Sequence, residues 1–205
     1  MKVTFPHMGN LYITCKAVFE GFGLDVVVPP PITKKTLDLG TMYSPESACL
    51  PLKINLGNFL EAVELGADTI VMGGGVGPCR FGYYAEIQKG ILKDLGINCE
   101  MIVIEPPDSN FNEVWNRITR LIKSSWAKAI KSLYLAWHKT YAVDFVEAEI
   151  HKLRAIEKRQ GKSDEVFKHY IGCIERANSR AEINKVLHQT KMELLQIPVI
   201  QNKPK

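Results

Sequence analysis

Hydrophobic and polar positions along the chain follow two regimes that change near residue 106. In the first, short apolar runs alternate with stretches of helical spacing. Lys2 to Phe5 reads as a strand and Pro6-His7-Met8-Gly9-Asn10 as the loop behind it. Leu11 to Phe22 sets Leu11, Cys15, Val18, Phe19 and Phe22 on one helical face, with Gly21 and Gly23 as its end. Leu24 to Val28 is apolar along most of its length, as a strand covered on both faces is. These three elements make a βαβ unit. Pro29-Pro30-Pro31 stops the strand and opens a loop region that takes in Thr36 to Gly40. Ser44-Pro45-Glu46 has the form of an N-cap, a first-position proline and a first-turn acid. Pro51 interrupts any helix begun there, so the predicted helix runs from Pro51 to Leu65, with Leu52, Leu56, Phe59, Leu60 and Val63 as its apolar side.

A strand at Thr69 to Met72, a glycine-rich loop, a helix from Phe81 to Leu95 and a strand from Ile97 to Ile104, closed by Pro106-Pro107, complete the first regime. Regular alternation of strand and helix predicts an α/β fold with a mostly parallel sheet and helices on both faces. From Asn110 the pattern is helical alone: Phe111 to His138 carries Val114, Ile118, Leu121, Ile122, Trp126, Ile130, Leu133 and Trp137 at spacings of three and four. Ala142 to Arg159 and Val166 to Ala177 continue it across a break at Gly161-Lys162-Ser163, and Ser179 with Glu182 forms a capping box for a helix reaching Leu195. The expected organisation is an α/β domain over residues 1–107, a helical region over 108–197 and a linker or tail over 198–205.

Composition divides the chain at the same place. Residues 1–105 carry 8 Lys+Arg against 11 Asp+Glu, a net of −3, and the remainder carries 18 against 11, a net of +7. The basic residues of the second half are interleaved with acids at helical spacing, which reads as a solvated helical face rather than a nucleic-acid surface. No apolar run approaches the roughly 18 residues needed to cross a bilayer, and Met1-Lys2-Val3-Thr4-Phe5-Pro6 lacks the apolar core of a signal peptide. The expected location is cytoplasmic, without membrane or nucleic-acid partners. Five cysteines, an odd number without compact spacing, argue for reduced thiols instead of a disulfide framework.

The candidate chemistry centres on Gly73-Gly74-Gly75-Val76-Gly77-Pro78-Cys79-Arg80. Four glycines in five residues let the backbone turn sharply and approach another object closely. Cys79 is expected where this loop meets a helix, and Cys49 stands just ahead of another, with Lys53 in its first turn. Unpaired amides and the positive end of a helix dipole stabilise a thiolate there. Two cysteines 30 residues apart, with no C-x-x-C, do not complete a metal site, because zinc and 4Fe-4S centres take about four ligands. The same loop read as a phosphate cradle lacks G-x-x-x-x-G-K-[ST], and Pro78 removes an amide donor. A structural turn is the remaining reading. Cys15 and Cys99 read as core residues, and His7, His138, His151, His169 and His188 are scattered, with no catalytic triad or pair proposed from their spacing.

Phe5-Pro6-His7-Met8-Gly9-Asn10, Pro29-Pro30-Pro31-Ile32-Thr33 with Lys35-Thr36, Ser44-Pro45-Glu46 followed by Cys49-Leu50-Pro51-Leu52-Lys53, and Gly73 through Tyr84 together resemble the 2-hydroxyacyl-CoA dehydratase superfamily, in its branch related to CoA-substrate-specific enzyme activases. The likeness covers residues 1 to about 105; the helical remainder is similar in character only. The resemblance implies a Rossmann-like, three-layer domain that holds an iron-sulfur cluster, 4Fe-4S or double cubane, in anaerobic low-potential electron transfer. It implies an ATP-dependent activase that carries its own cluster as electron donor, and an acyl-CoA or other small substrate. Cys49 and Cys79 fall on the family's cluster cysteines. Lys53 and Arg80 offset cluster charge in this reading, Gly73, Gly74, Gly75 and Gly77 offer backbone donors, and Glu46 is a polar group of the cleft. The family draws a further cysteine from a second α/β domain, so the expectation is a fragment, or a short member completed by another chain or a second copy. Cys173 is the substitute this chain itself contains. A docking or regulatory domain for an activase or dehydratase, and a nucleotide- or CoA-binding module, are the alternative readings.

Overall fold

The computed structural model describes residues 1–75, 79–105 and 111–200. They divide into two compact units, Met1–Ser132 and Leu133–Lys205. The first is a mixed α/β unit around a four-stranded, all-parallel sheet of β1 (Lys2–Thr4), β2 (Asp25–Val26), β3 (Thr69–Gly73) and β4 (Glu100–Ile104), in the order β2-β1-β3-β4. Its helices are α1 (Leu11–Gly21), α2 (Lys34–Tyr43), α3 (Leu50–Glu64), α4 (Tyr84–Asp94) and α5 (Phe111–Leu121), and a 3₁₀ turn spans Arg80–Tyr83. The start of α6 (Trp126–Arg154) also belongs to this unit, whose compact part therefore runs past residue 107.

Alternation along the strands divides the core. Val3, Phe5, Val71 and Ile102 pack with Phe19 of α1, with Phe22 that caps it, and with Leu121 and Ala129 on one face of the sheet. Ile70 and Met72 pack with Leu52, Leu56 and Phe59 of α3 and with Tyr84, Ala85 and Leu92 of α4 on the other. The chain moves from β1 outward to β2 and then crosses back to β3. The loops after β1 and β3 thus leave the sheet on either side of the point where strand order reverses, the place where such sheets open a crevice.

The structure corrects several local expectations. Thr36 to Gly40 is not loop but part of α2. Its first turn is closed by the Thr33 N–H donating to Thr36 Oγ1 at 3.0 Å. Its inner side lies backbone-to-backbone on α3: a Cβ on Gly40 would stand 1.8 Å from the Lys53 carbonyl oxygen, and one on Gly57 1.9 Å from that of Thr36. Thr36 Oγ1 also donates to the buried Glu61 at 2.6 Å. Helix–helix contact through bare backbone leaves no hydrophobic stripe to read, which is why periodicity missed α2. Ser44 ends that helix, and Pro45 and Glu46 form a turn instead of starting a new one. β2 covers only Asp25–Val26 of the strand expected over Leu24 to Val28. The helix expected over Phe111 to His138 is two, broken where the Lys123 and Ser124 N–H groups both donate to the Phe22 carbonyl at 2.8 Å. The continuation expected from Ala142 to Arg159 is the end of α6, which stops at Arg154.

The second unit holds the rest of α6 with α7 (Lys162–Arg176) and α8 (Arg180–Leu195). Lys139, buried, donates to the Glu175 carbonyl at 2.6 Å at the C-terminal end of α7, where a cation complements the helix dipole. Tyr170 donates to Glu193 at 2.8 Å and so joins α7 to α8. Half of the capping box expected at Ser179 and Glu182 forms: Ser179 Oγ accepts the Glu182 amide at 3.2 Å, while the Glu182 carboxylate accepts the Asn178 amide, one residue before the cap, at 2.8 Å. Glu157, also buried, accepts the Gly161 and Ser163 amides at 2.7 and 2.8 Å and satisfies donors at the start of α7. No helix among the described residues is long and apolar enough to cross a membrane.

Three substitutions test the backbone contact, the open helix face and the buried carboxylate. Gly57→Ala should lower stability by about 1–3 kcal/mol through overpacking. Gly90→Ala in α4, where a Cβ meets nothing within 4 Å, should raise it by about 0.5–1 kcal/mol, both read from denaturant midpoints. Burial pushes the Glu157 carboxyl up, but the Ser163 and Gly161 donors outweigh it and hold the group below the ordinary glutamate range. A depressed carboxylate contributes stability that is present above its unfolded pKa and lost as pH falls through the folded one. Glu157→Gln should therefore weaken the second unit by about 1–3 kcal/mol at neutral pH and flatten its acid limb, followed by circular dichroism over a pH series.

Candidate functional site

Both singled-out cysteines cap helical segments. Cys49 is the N-cap of α3, in extended conformation at φ −70° and ψ 153°, with Pro51 pre-set for the first turn. Its carbonyl accepts from the Leu52 and Lys53 amides at 3.1 and 3.4 Å. Cys79 is the N-cap of the 3₁₀ turn, which passes directly into α4. The helix expected from Phe81 thus begins with this tighter turn. Gly82 explains it: a Cβ there would stand 1.9 Å from the Gly75 carbonyl oxygen, so the turn folds back onto the glycine loop, and Gly75 itself has φ +134°.

The turn delivers Tyr84 to Cys49. The Tyr84 hydroxyl and the Cys49 sulfur share a hydrogen bond. The bond to Tyr84 is the main cause that holds the Cys49 thiol below its usual range; burial opposes it, and the Leu52 amide and the Arg80 charge assist. Tyr84 is pushed up to about 12, first by burial and then by its bond to Cys49 and the charges of Cys49 and Cys79. Of the two groups the thiol is therefore the one that ionises first, and once it does the phenol is the donor to it. Cys49, Arg80 and Tyr84 line a cavity of about 270 Å³ whose other walls include Ala48, Leu52 and Ile87. Behind it the buried Gln88 donates to the Leu52 carbonyl at 3.2 Å and ties α4 to the first turn of α3.

Not every expected residue joins this cluster. The Gly74 amide donates to the Ile104 carbonyl at 3.0 Å and is spent on the sheet. A Cβ on Gly73 would meet the Phe81 ring. Gly77, with Val76 and Pro78, lies outside the described residues. Lys53 donates to the Glu46 carbonyl at 3.1 Å, and the Glu46 carboxylate is exposed. Cys15 and Cys99 are each pushed up to about 11, Cys15 by burial and Cys99 by burial assisted by the Asp68 charge, which suits packed, unreactive thiols. Cys173 stands on α7 in the second unit, with Arg176 Nη2 at 3.6 Å and His169 Nε2 at 3.8 Å. His7 stacks on Tyr12.

Tyr84 and Gly82 are the residues that sequence reasoning passed over. Each stands in the stretch that follows Cys79, but neither carries a periodic or spacing signal, since their roles appear only once the turn folds back. Among the described residues no group of three or more His, Cys, Asp or Glu side chains gathers to hold a metal, so the site offers two thiols, a phenol and a guanidinium. Such a set can bind a thiophilic or anionic group and, unaided, cannot enclose a metal ion.

Tyr84→Phe removes the donor to the thiolate, and the pKa of Cys49 should rise. Iodoacetamide labelling of Cys49, followed by peptide mass across a pH series, should shift its midpoint upward and slow several-fold at neutral pH. An unchanged profile would show that the phenol does not hold the thiolate. Comparison of the chain with protein-family models, with curated proteins and with solved structures finds no match.

Proposed function

We propose that the first unit is a Rossmann-like, cluster-binding domain of the 2-hydroxyacyl-CoA dehydratase type, in the branch related to enzyme activases, and that Cys49 and Cys79 are two ligands of its iron-sulfur cluster. The observation that carries this reading is the convergence of two cysteines, distant in sequence and each heading a helical segment, on Tyr84 and Arg80 beside the reversal of strand order. The donor set fits such a group in part. Thiolate character at Cys49, the neighbouring charge of Arg80 and an adjoining cavity suit a sulfur-ligated centre. Two thiols leave the remaining ligands to another domain, another chain, solvent or substrate. The bound cluster would supply one-electron chemistry at low potential, with electrons from an ATP-dependent activase. This chain's residues hold it: Cys49 and Cys79 as ligands, Arg80 as a counter-charge, and the Tyr84 hydroxyl as a hydrogen-bond donor to ligand sulfur. The cavity beside Cys49, walled by Ala48, Leu52 and Ile87, suits the apolar part of a small acyl substrate.

The small number of ligands favours a second reading, a docking or regulatory domain for an activase or dehydratase. Iron and acid-labile sulfide per chain, measured after anaerobic purification, separate the two. Stoichiometric iron that Cys49→Ala and Cys79→Ala each abolish is the expected result. Absence of iron after reconstitution, in a folded chain that still binds the activase, would replace the cluster reading with docking.

A further inference from the structure

A cluster of reactive groups in the second unit takes no part in the site around Cys49. His169, Cys173 and Arg176 stand at spacings of four and three on α7 and so share one face of that helix. Arg176 Nη2 donates to the Cys173 sulfur at 3.6 Å, and His169 Nε2 lies 3.8 Å from the same atom. Gly172 leaves room for the guanidinium: a Cβ there would already touch Arg176 Nη1 at 3.4 Å, and a larger side chain would take its place.

The half-buried Cys173 opens onto a cavity of about 310 Å³ between α7 and α8, whose other walls include Arg176, Ala177, Lys185, Val186 and Gln189. That volume is at the lower end of small-molecule sites, about 300–1,000 Å³. Arg176 and Lys185 are both exposed and reach any molecule that enters. Glu182 is the acid of the same wall, and its carboxylate is already committed to the Asn178 amide at 2.8 Å. The cavity therefore presents a thiol beside two cations. That charge disfavours a metal ion at the sulfur and favours a carboxylate-bearing molecule, which an arginine fork recognises through paired hydrogen bonds. Cys173 is also the only cysteine of the second unit, so no neighbouring thiol of that unit pairs with it or displaces a group from it. A sulfur partner for Cys173 comes from outside the unit, and the cavity limits it to a small one.

We propose that Cys173 is a site of reversible S-thiolation by small disulfides that carry carboxylates, with Arg176 and Lys185 as the groups that recognise them. The step is thiol–disulfide exchange. The Cys173 thiol loses its proton to solvent, its sulfur attacks one sulfur of the small disulfide, and the S–S bond of that molecule breaks. One half stays on Cys173 as a mixed disulfide; the other leaves as a thiolate and takes up a proton. Cys173 is oxidised and the leaving half reduced to the same extent, so no further oxidant enters. Once bonded, the Cys173 sulfur carries no charge, and the Arg176 fork is released to pair with a carboxylate of the adduct.

The reduced full-length chain, exposed to glutathione disulfide or in parallel to the cationic disulfide cystamine, provides the test, with each cysteine followed separately by peptide mass. Cys173 should gain the glutathione adduct, and dithiothreitol should remove it. The ratio of the two rates at Cys173, glutathione disulfide over cystamine, should fall at least threefold in Arg176→Gln combined with Lys185→Gln. Both substituted residues are exposed, and helical circular dichroism should be unchanged. Lys185→Gln alone, which leaves the sulfur's own hydrogen bond in place, should lower the ratio in the same direction. Cys173 that stays unmodified while the exposed Cys79 is fully converted, or a rate ratio at Cys173 that neither substitution changes, would overturn the proposal.

Discussion

Strand β3 is the constraint on which the first unit depends. It is the strand that pairs with both β1 and β4, and its side chains alternate between the two cores, Ile70 and Met72 toward α3 and α4, Val71 toward α1. A short strand buried on both faces and bonded on both edges has no freedom to slip register, because a one-residue shift would exchange the residues of the two layers. Whatever leaves its C-terminal end therefore starts from a fixed point. The glycine loop does so, and the folded-back turn at Gly82 transmits that fixed point to Cys79 and Tyr84.

The reactive character of Cys49 is borrowed rather than intrinsic. Its own helix supplies an N-terminal position, but the hydroxyl that stabilises its thiolate arrives from the next helix in the sheet's sequence, α4. Two layers of control result. The α3 cap sets where the sulfur is, and the β3-to-α4 connection sets how readily it ionises. Burial does the reverse where no such bond outweighs it, as Cys15 and Cys99 show, each thiol being driven up to about 11.

Much of this arrangement was legible in the sequence. Alternating apolar runs and helical stripes located four strands, and α1, α3 and α4 nearly to their ends, because burial on defined faces writes itself into the spacing of apolar residues. Cys49 and Cys79 were legible as helix-capping positions from Pro51 and from the glycine run. What escaped was structure made by backbone alone. α2 meets α3 through Gly40 and Gly57, and the turn after Cys79 rests on the Gly75 carbonyl, contacts that need the absence of a side chain. The division of the long helical stretch into α5 and α6 escaped for a related reason: the Phe22 carbonyl captures two amides from a distant segment, an event without a local signature. Tyr84 carries the chemistry of a neighbour that lies 35 residues away, and spacing rules do not reach that far.

The seating of α2 on α3 also bears on how the site meets a ligand. With Gly40 against Lys53 and Gly57 against Thr36, the two helices touch at both ends of their overlap, and Cys49 sits in the short connection between them. A segment clamped at both ends has already surrendered its backbone freedom during folding. Binding at Cys49 then demands little further ordering, so more of each contact's enthalpy survives as affinity. The consequence falls on exchange: an occupant accepted without rearrangement of the connection between α2 and α3 leaves by breaking its own contacts, so its residence time is set by their strength.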